Sequence, residues 1–168
     1  MRAYHQAMEE GTDAVVARVR FARAGDLETI LDLQRRAFAP VAERAGNPNI
    51  PPMVQTLAEL HEEYEHGTIL VYECDGQVIG SVRASVSDAV AHVGRLIVDP
   101  ARQRRGIGSL LMKELERRLA GCTAFELFTG EEFPELIRLY ESLGYRVTGR
   151  TKEGSVPMVL MSKRNAVC

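Results

Sequence analysis

Between Val15 and Phe21, apolar side chains alternate with arginines, the period of a strand with one buried face. After Asp26 the period lengthens. Leu27, Ile30, Leu31 and Phe38 recur at helical spacing, with Asp26 placed to cap the helix and Pro40 predicted to follow its end. Gly46 to Pro52 (Gly-Asn-Pro-Asn-Ile-Pro-Pro) is dense in turn formers and reads as a loop. Thr56 and Glu59 have capping-box spacing and open a second helix through Leu57, Leu60 and Tyr64.

Strand patterns return at Thr68 to Glu73 and Val78 to Val86, flanking the hairpin dipeptide Asp75-Gly76. Ser87-Asp88 allows another turn into Val90 to Val98, so three successive antiparallel strands are expected. A third helix starts near Gly106. Its stripe is Ile107, Leu111, Leu115 and Leu119, with Lys113, Glu116 and Arg117 outside it and Gly121 as a stop. Phe125 to Phe128 is a short buried strand. Pro134 suits the first turn of a fourth helix that Gly144 can terminate. Tyr145 to Thr148 and Pro157 to Met161 form a closing pair around Gly154.

Residues 1 to 13 show no period and read as a mobile lead-in, leaving 14 to 168 as one domain without repeats or linkers. The order of elements predicts an α/β (mixed α+β) domain. Its central, mostly antiparallel sheet has about seven strands, flanked by about four helices.

Composition narrows the class. A chain of 168 residues, 45% hydrophobic and 26% charged, suits a globular domain with one sizeable core. A net charge of −2 argues against broad nucleic-acid or anionic-membrane binding. No apolar run has the length of a membrane span, and the N-terminus lacks a signal pattern. Cys74, Cys122 and Cys168 are odd in number and far apart. They predict reduced thiols in a cytoplasmic protein rather than a disulfide framework or a zinc site.

Candidate chemistry concentrates between Val93 and Leu111. There an apolar strand runs through Asp99-Pro100 into a basic, glycine-bearing turn and then a helix. Free backbone amides and a helix N-terminus converge on an anion, and Arg102, Arg104 and Arg105 add positive charge. The ligand this predicts carries phosphate. No Gly-Lys-Ser/Thr ending makes the turn a P-loop, and the third glycine of a dinucleotide fingerprint is Leu111. Taken alone, the glycines also fit an ordinary strand-to-helix turn.

Two ordered motifs carry a resemblance to the GCN5-related N-acetyltransferase (GNAT) family. Gln103, Gly106 and Gly108 match its Gln/Arg-x-x-Gly-x-Gly/Ala phosphate motif, preceded as in the family by a strand and Asp-Pro, here Leu96 to Pro100. Downstream, Leu139-Tyr140 and Gly144-Tyr145 are similar to the family's Leu-Tyr-x-x-x-Gly-Phe/Tyr. In element order the resemblance spans about residues 14 to 162.

The resemblance implies an acetyl-CoA-dependent N-acetyltransferase acting on a primary amine of a small molecule or peptide, by direct attack in a ternary complex. It assigns the pyrophosphate to backbone amides from Arg104 through Arg105, Gly106, Ile107 and Gly108 to Ser109. Pantetheine would lie along Leu96, Ile97 and Val98, where the strand splays from Phe125 to Phe128. A strand N–H near Val98 would face the oxyanion, and Tyr140 would protonate the leaving thiolate. Tyr140 also shares helical spacing with Leu136, Leu139 and Leu143, so it doubles as a core candidate. Many relatives carry a glutamate base where this chain has Gly94. His92 lies on the same strand face and is the alternative base, with water as another. Phe133 and Leu136 replace a serine and a cofactor-contacting asparagine of similar relatives.

Acceptor specificity would come from Ala39 to Tyr64 and Thr148 to Val156. Glu59, Glu62, Glu63 and Glu65 either draw in a cationic amine or form a solvated helix face. Met53, Tyr64 and Met158 are either pocket or core. A homodimer is consistent with the family; nucleic-acid and membrane partners are not expected. Two rivals stand beside the enzyme reading: a CoA-binding regulatory module with little turnover, and a nucleotide-phosphate binder.

Overall fold

The tight turns organise the centre of the molecule. In the computed structural model, which describes residues 16 to 166, Asp75 and Gly76 take φ 50° and 79°, and Asp88 and Ala89 take 51° and 61°. Turns of this hand match the twist of the strands they join. They link β2 (Thr68–Cys74), β3 (Gln77–Ser87) and β4 (Val90–Val98) into the expected antiparallel meander. With β1 (Ala17–Phe21), β5 (Ala124–Gly130), β6 (Arg146–Glu153) and β7 (Val156–Arg164) they form one sheet in the order β1-β2-β3-β4-β5-β7-β6. Only β4 and β5 run parallel. Five α-helices flank the sheet: α1 (Leu27–Ala45), α2 (Pro51–Val54), α3 (Leu57–His66), α4 (Ile107–Arg118) and α5 (Pro134–Ser142).

The sheet separates two cores. Leu111, Met112 and Leu115 of α4 pack against Leu70, Val82, Val93 and Phe125 on one side. Leu27 and Ile30 of α1 and Leu60 of α3 pack against Ile69, Val71 and Ile97 on the other. Both faces of the central strands are therefore buried, and burial of this kind is the main source of stability.

The structure corrects several expectations. α1 does not end before Pro40 but continues to Ala45, closing on Gly46 at φ 62°. Pro40 lies on the exposed side, where water can satisfy the Arg36 carbonyl that it leaves without a donor. Asp26 does not cap α1 through its side chain. Its carboxylate accepts from the Arg23 amide at 2.7 Å and from both Arg20 terminal nitrogens at 2.7 and 3.0 Å. The segment read as a loop from Gly46 to Pro52 contains the start of α2, a fifth α-helix among the described residues. Pro51 and Pro52 open that helix where their missing N–H groups would have no partner anyway. β5, β6 and β7 all run longer than their patterns implied. Thr56 accepts the Glu59 amide at 3.2 Å, as its spacing predicts.

Residues 1 to 13, Val15 and Cys168 lie outside the described residues. Cys74 and Cys122 are free thiols. Among the described residues, no helix is long and apolar enough to cross a membrane.

Candidate active site

A single-residue irregularity in β4 creates the site. Ser81 pairs with Ile97 but Arg83 pairs with Gly94, so Val82 alone faces both Arg95 and Leu96. Arg95 takes φ 51° to complete this bulge. The bulge exchanges the faces of the strand. Ala91 and Val93 belong to the α4 core, whereas Ile97, which plain alternation would put with them, belongs to the α1 core.

The bulge also ends the parallel pairing. β4 meets β5 only from Val90 to Val93, opposite Ala124 to Leu127, and the strands splay beyond. Asp99 donates its N–H to the Ile79 carbonyl at 2.8 Å. By strand alternation, the Val98 N–H then points away from β3, into the opening. The Gln103 side-chain nitrogen donates to the Val98 carbonyl at 3.3 Å, tying the basic turn to this edge.

The turn delivers a bare helix N-terminus to the same opening. Asp99 accepts from the Ala101 amide at 3.0 Å and starts a 3₁₀ turn at Pro100. Arg104 and Gly106 then reverse the chain with φ 64° and 78°. Gly106 is the N-cap of α4, and no side chain caps that helix. Its leading amides lack intrahelical partners and lie at the positive dipole end. Arg104 and Arg105 are exposed beside them. Gly108 serves a different purpose from Gly106: a Cβ there would sit 3.6 Å from Leu96 and 3.7 Å from Leu139, between β4 and α5.

An apolar cavity of about 510 Å³ fills the splay, with Leu96, Leu127, Phe133, Leu136 and Tyr140 among its lining residues. Tyr140 is buried, and its ring meets Tyr145 edge-on at 6.0 Å between centroids. Burial pushes its hydroxyl well above the ordinary tyrosine range, so it stays protonated. Phe133 caps α5 and lies under the Arg44 guanidinium at 4.8 Å. Phe133 and Leu136 are both wall side chains of this cavity.

A second, polar cavity of about 730 Å³ lies between α3 and the β3–β4 pair, and Gly94 and Arg95 border both. His92 lines it, half exposed, with Nδ1 3.7 Å from Glu126. Glu59, Glu62 and Glu63 face it, while Glu65 turns outward to His61 at 3.4 Å. Met158 lines the apolar cavity, whereas Tyr64 packs on the α1 core. Thr151, Lys152, Glu153 and Val156, within the expected acceptor segment, also line the apolar cavity.

Arg83 is a residue that sequence reasoning missed. Its guanidinium is buried and bonds Gln34 at 3.0 Å, Gln55 at 2.7 Å and Glu63 at 2.5 Å, joining α1, α3 and the α2–α3 connection to the sheet. Burial pulls its pKa down to about 10 despite Glu63. An arginine inside an apolar strand, after Val82, was the available signal.

Known proteins share this architecture. A family model described as the acetyltransferase (GNAT) family matches residues 27–145. The chain is 25% identical over 163 residues to the S-(2-succino)cysteine N-acetyltransferase of Bacillus subtilis, covering 88% of this chain and 94% of that one. It resembles the ribosomal-protein-S18-alanine N-acetyltransferase of Escherichia coli with a TM-score of 0.76 and 19% identity, covering 91% and 96% of the two chains. A TM-score of 0.72 and 22% identity relate it to yncA of Salmonella typhimurium, solved with its cofactor acetyl-CoA, at 91% and 96% coverage. The matched model spans most of the chain, including the splayed strands, the basic turn and the Tyr140 helix: this protein belongs to the acetyltransferase (GNAT) family.

Proposed function

We propose that this chain acetylates a primary amine of a small molecule or peptide, using acetyl-CoA in a ternary complex. The observation that carries the reading is the opening between β4 and β5 beyond Val93, with Leu96 and Tyr140 in its wall and the uncapped start of α4 packed beside Leu96 at Gly108. An extended chain with amides and a diphosphate fits such a place. The free strand edge offers backbone hydrogen bonds, and the helix N-terminus offers an anion site.

When bound, acetyl-CoA supplies an acetyl group activated as a thioester. Amides from Arg104 to Ser109 hold the pyrophosphate, with Arg102, Arg104 and Arg105 as supporting charges. Leu96, Ile97 and Val98 align the pantetheine arm, and Gln103 fixes the edge by its bond to Val98. The Val98 N–H donates to the acetyl oxygen as negative charge develops there. Tyr140, kept protonated by burial, donates to the departing sulfur. His92 takes the proton of the amine from the polar cavity, directly or through water. The reaction belongs in the cytoplasm, where the free Cys74 and Cys122 stay reduced.

Phe133 and Leu136 favour a second reading, a CoA-binding regulatory module, because they present apolar side chains to the cavity that Tyr140 lines. Titration with CoA, followed by CoA release on an amine panel, separates the two. Binding with turnover supports the enzyme, binding without turnover supports the module, and an ATP preference contradicts both.

A further inference from the structure

The cleft contains two partly or wholly buried guanidinium groups with opposite circumstances. Arg83 is satisfied by Gln34, Gln55 and Glu63. Arg95 is not. Its Nε is buried without a hydrogen-bond partner among the described residues. Its guanidinium rests 5.8 Å from the Phe38 ring centroid, and Glu63 of the polar cavity is already engaged by Arg83. Burial lowers its pKa, with Glu63 and Glu153 only partly opposing. A guanidinium nitrogen buried without an acceptor is unfavourable, as is the positive φ that a glycine would adopt more readily at the bulge.

Position explains what structure leaves unexplained. Arg95 stands where the two cavities meet, beside Gly94 and within the strand whose far end forms the opening. Glu59 and Glu62 on α3 face the same polar cavity, so the cleft presents acid on one wall and a free guanidinium on its floor. Such a cleft fits a ligand that carries both charges. Glu63 and Glu153 nearby favour a monoanion over a dianionic phosphate.

We propose that Arg95 binds a carboxylate of the acceptor, which makes the acceptor an amino acid or amino-acid derivative and not a simple amine. This rests on the acetyl-transfer reading and adds a substrate class to it. The guanidinium pairs with the carboxylate through charge-assisted hydrogen bonds, while the amine of the same molecule turns toward the thioester.

The test measures CoA binding by calorimetry, then CoA release with α-amino, β-amino and S-substituted amino acids, each paired with its carboxamide. The expected result is a kcat/KM at least tenfold higher for the acids. Arg95→Gln should remove that preference by raising KM for the acids more than for the amides, and Arg95→Lys should restore part of it. Equal use of acids and amides, turnover of carboxylate-free amines alone, or an Arg95→Gln loss shared by both sets would overturn the inference while CoA binding stands. Absence of CoA binding would overturn the acetyl-transfer reading beneath it.

Discussion

Tyr140 answers to two demands at once. Its helical spacing with Leu136, Leu139 and Leu143 makes it a core residue, and its ring does pack on Tyr145, yet it also lines the cavity in the splay. Replacing it by Phe keeps the ring and removes the proton donor. We expect Tyr140→Phe to lower kcat about a hundredfold, with the KM for acetyl-CoA nearly unchanged. Equal rates across pH would remove the assignment. Because burial raises its pKa, wild-type kcat should show no loss from Tyr140 deprotonation up to about pH 10, the ordinary tyrosine value. His92→Ala should lose rate mainly on the acid side, where amine deprotonation limits; an unchanged pH profile returns that role to water. Asp26 gives a stability test at the same scale. Its pKa is held down chiefly by the hydrogen bonds from Arg20. A depressed folded-state pKa stabilises the fold above the ordinary aspartate value, and that contribution is lost as pH falls through the depressed one. Asp26→Asn should therefore cost about 2 kcal/mol at pH 7 in denaturant melts, with the gap to wild type closing as pH falls below the ordinary aspartate range.

At the scale of elements, the turns and stripes were legible and the exceptions were not. Asp75-Gly76 and the α4 stripe determine their elements locally, through φ preferences and helical period. Pro40 misled because its cost depends on what surrounds it. On an exposed face the orphaned carbonyl meets water, and packing of Leu27, Ile30 and Leu33 holds the helix together. Pro40→Ala should restore the bond to the Arg36 carbonyl and stabilise the protein by about 1–2 kcal/mol, less than the ~3 kcal/mol helix penalty because the unfolded chain also gains freedom. A lower denaturation midpoint would mean that the proline positions α1 against α2. The β4 bulge was hidden for another reason. A one-residue insertion inside an apolar run leaves both flanking patterns intact, so only pairing with β3 exposes it.

For the whole molecule, the sheet order decides what the motifs can do. The meander brings Gly94 and His92 to the α3 side, the single parallel pair opens at Val93, and the basic turn closes the far end. The expected gap beside Leu96 to Val98 followed from motif position and is present in the pairing. Arg83 and Arg95 were not legible as a pair, because whether a buried guanidinium is satisfied depends on Gln34, Gln55 and Glu63, far away in the chain. β6 was read short since nearly all of its residues are exposed and carry no alternation. The central claim is that the opening at the start of α4 binds CoA, and calorimetric titration with acetyl-CoA tests it on wild type, Gly108→Ala and Gly108→Trp, each with a melting curve. The alanine Cβ sits at ordinary contact distance from Leu96 and Leu139, so wild type and Gly108→Ala should bind. The tryptophan would fill the mouth between β4 and α5 and abolish binding while the protein remains folded. Undiminished acetyl-CoA binding by folded Gly108→Trp, or none by wild type, would contradict the account.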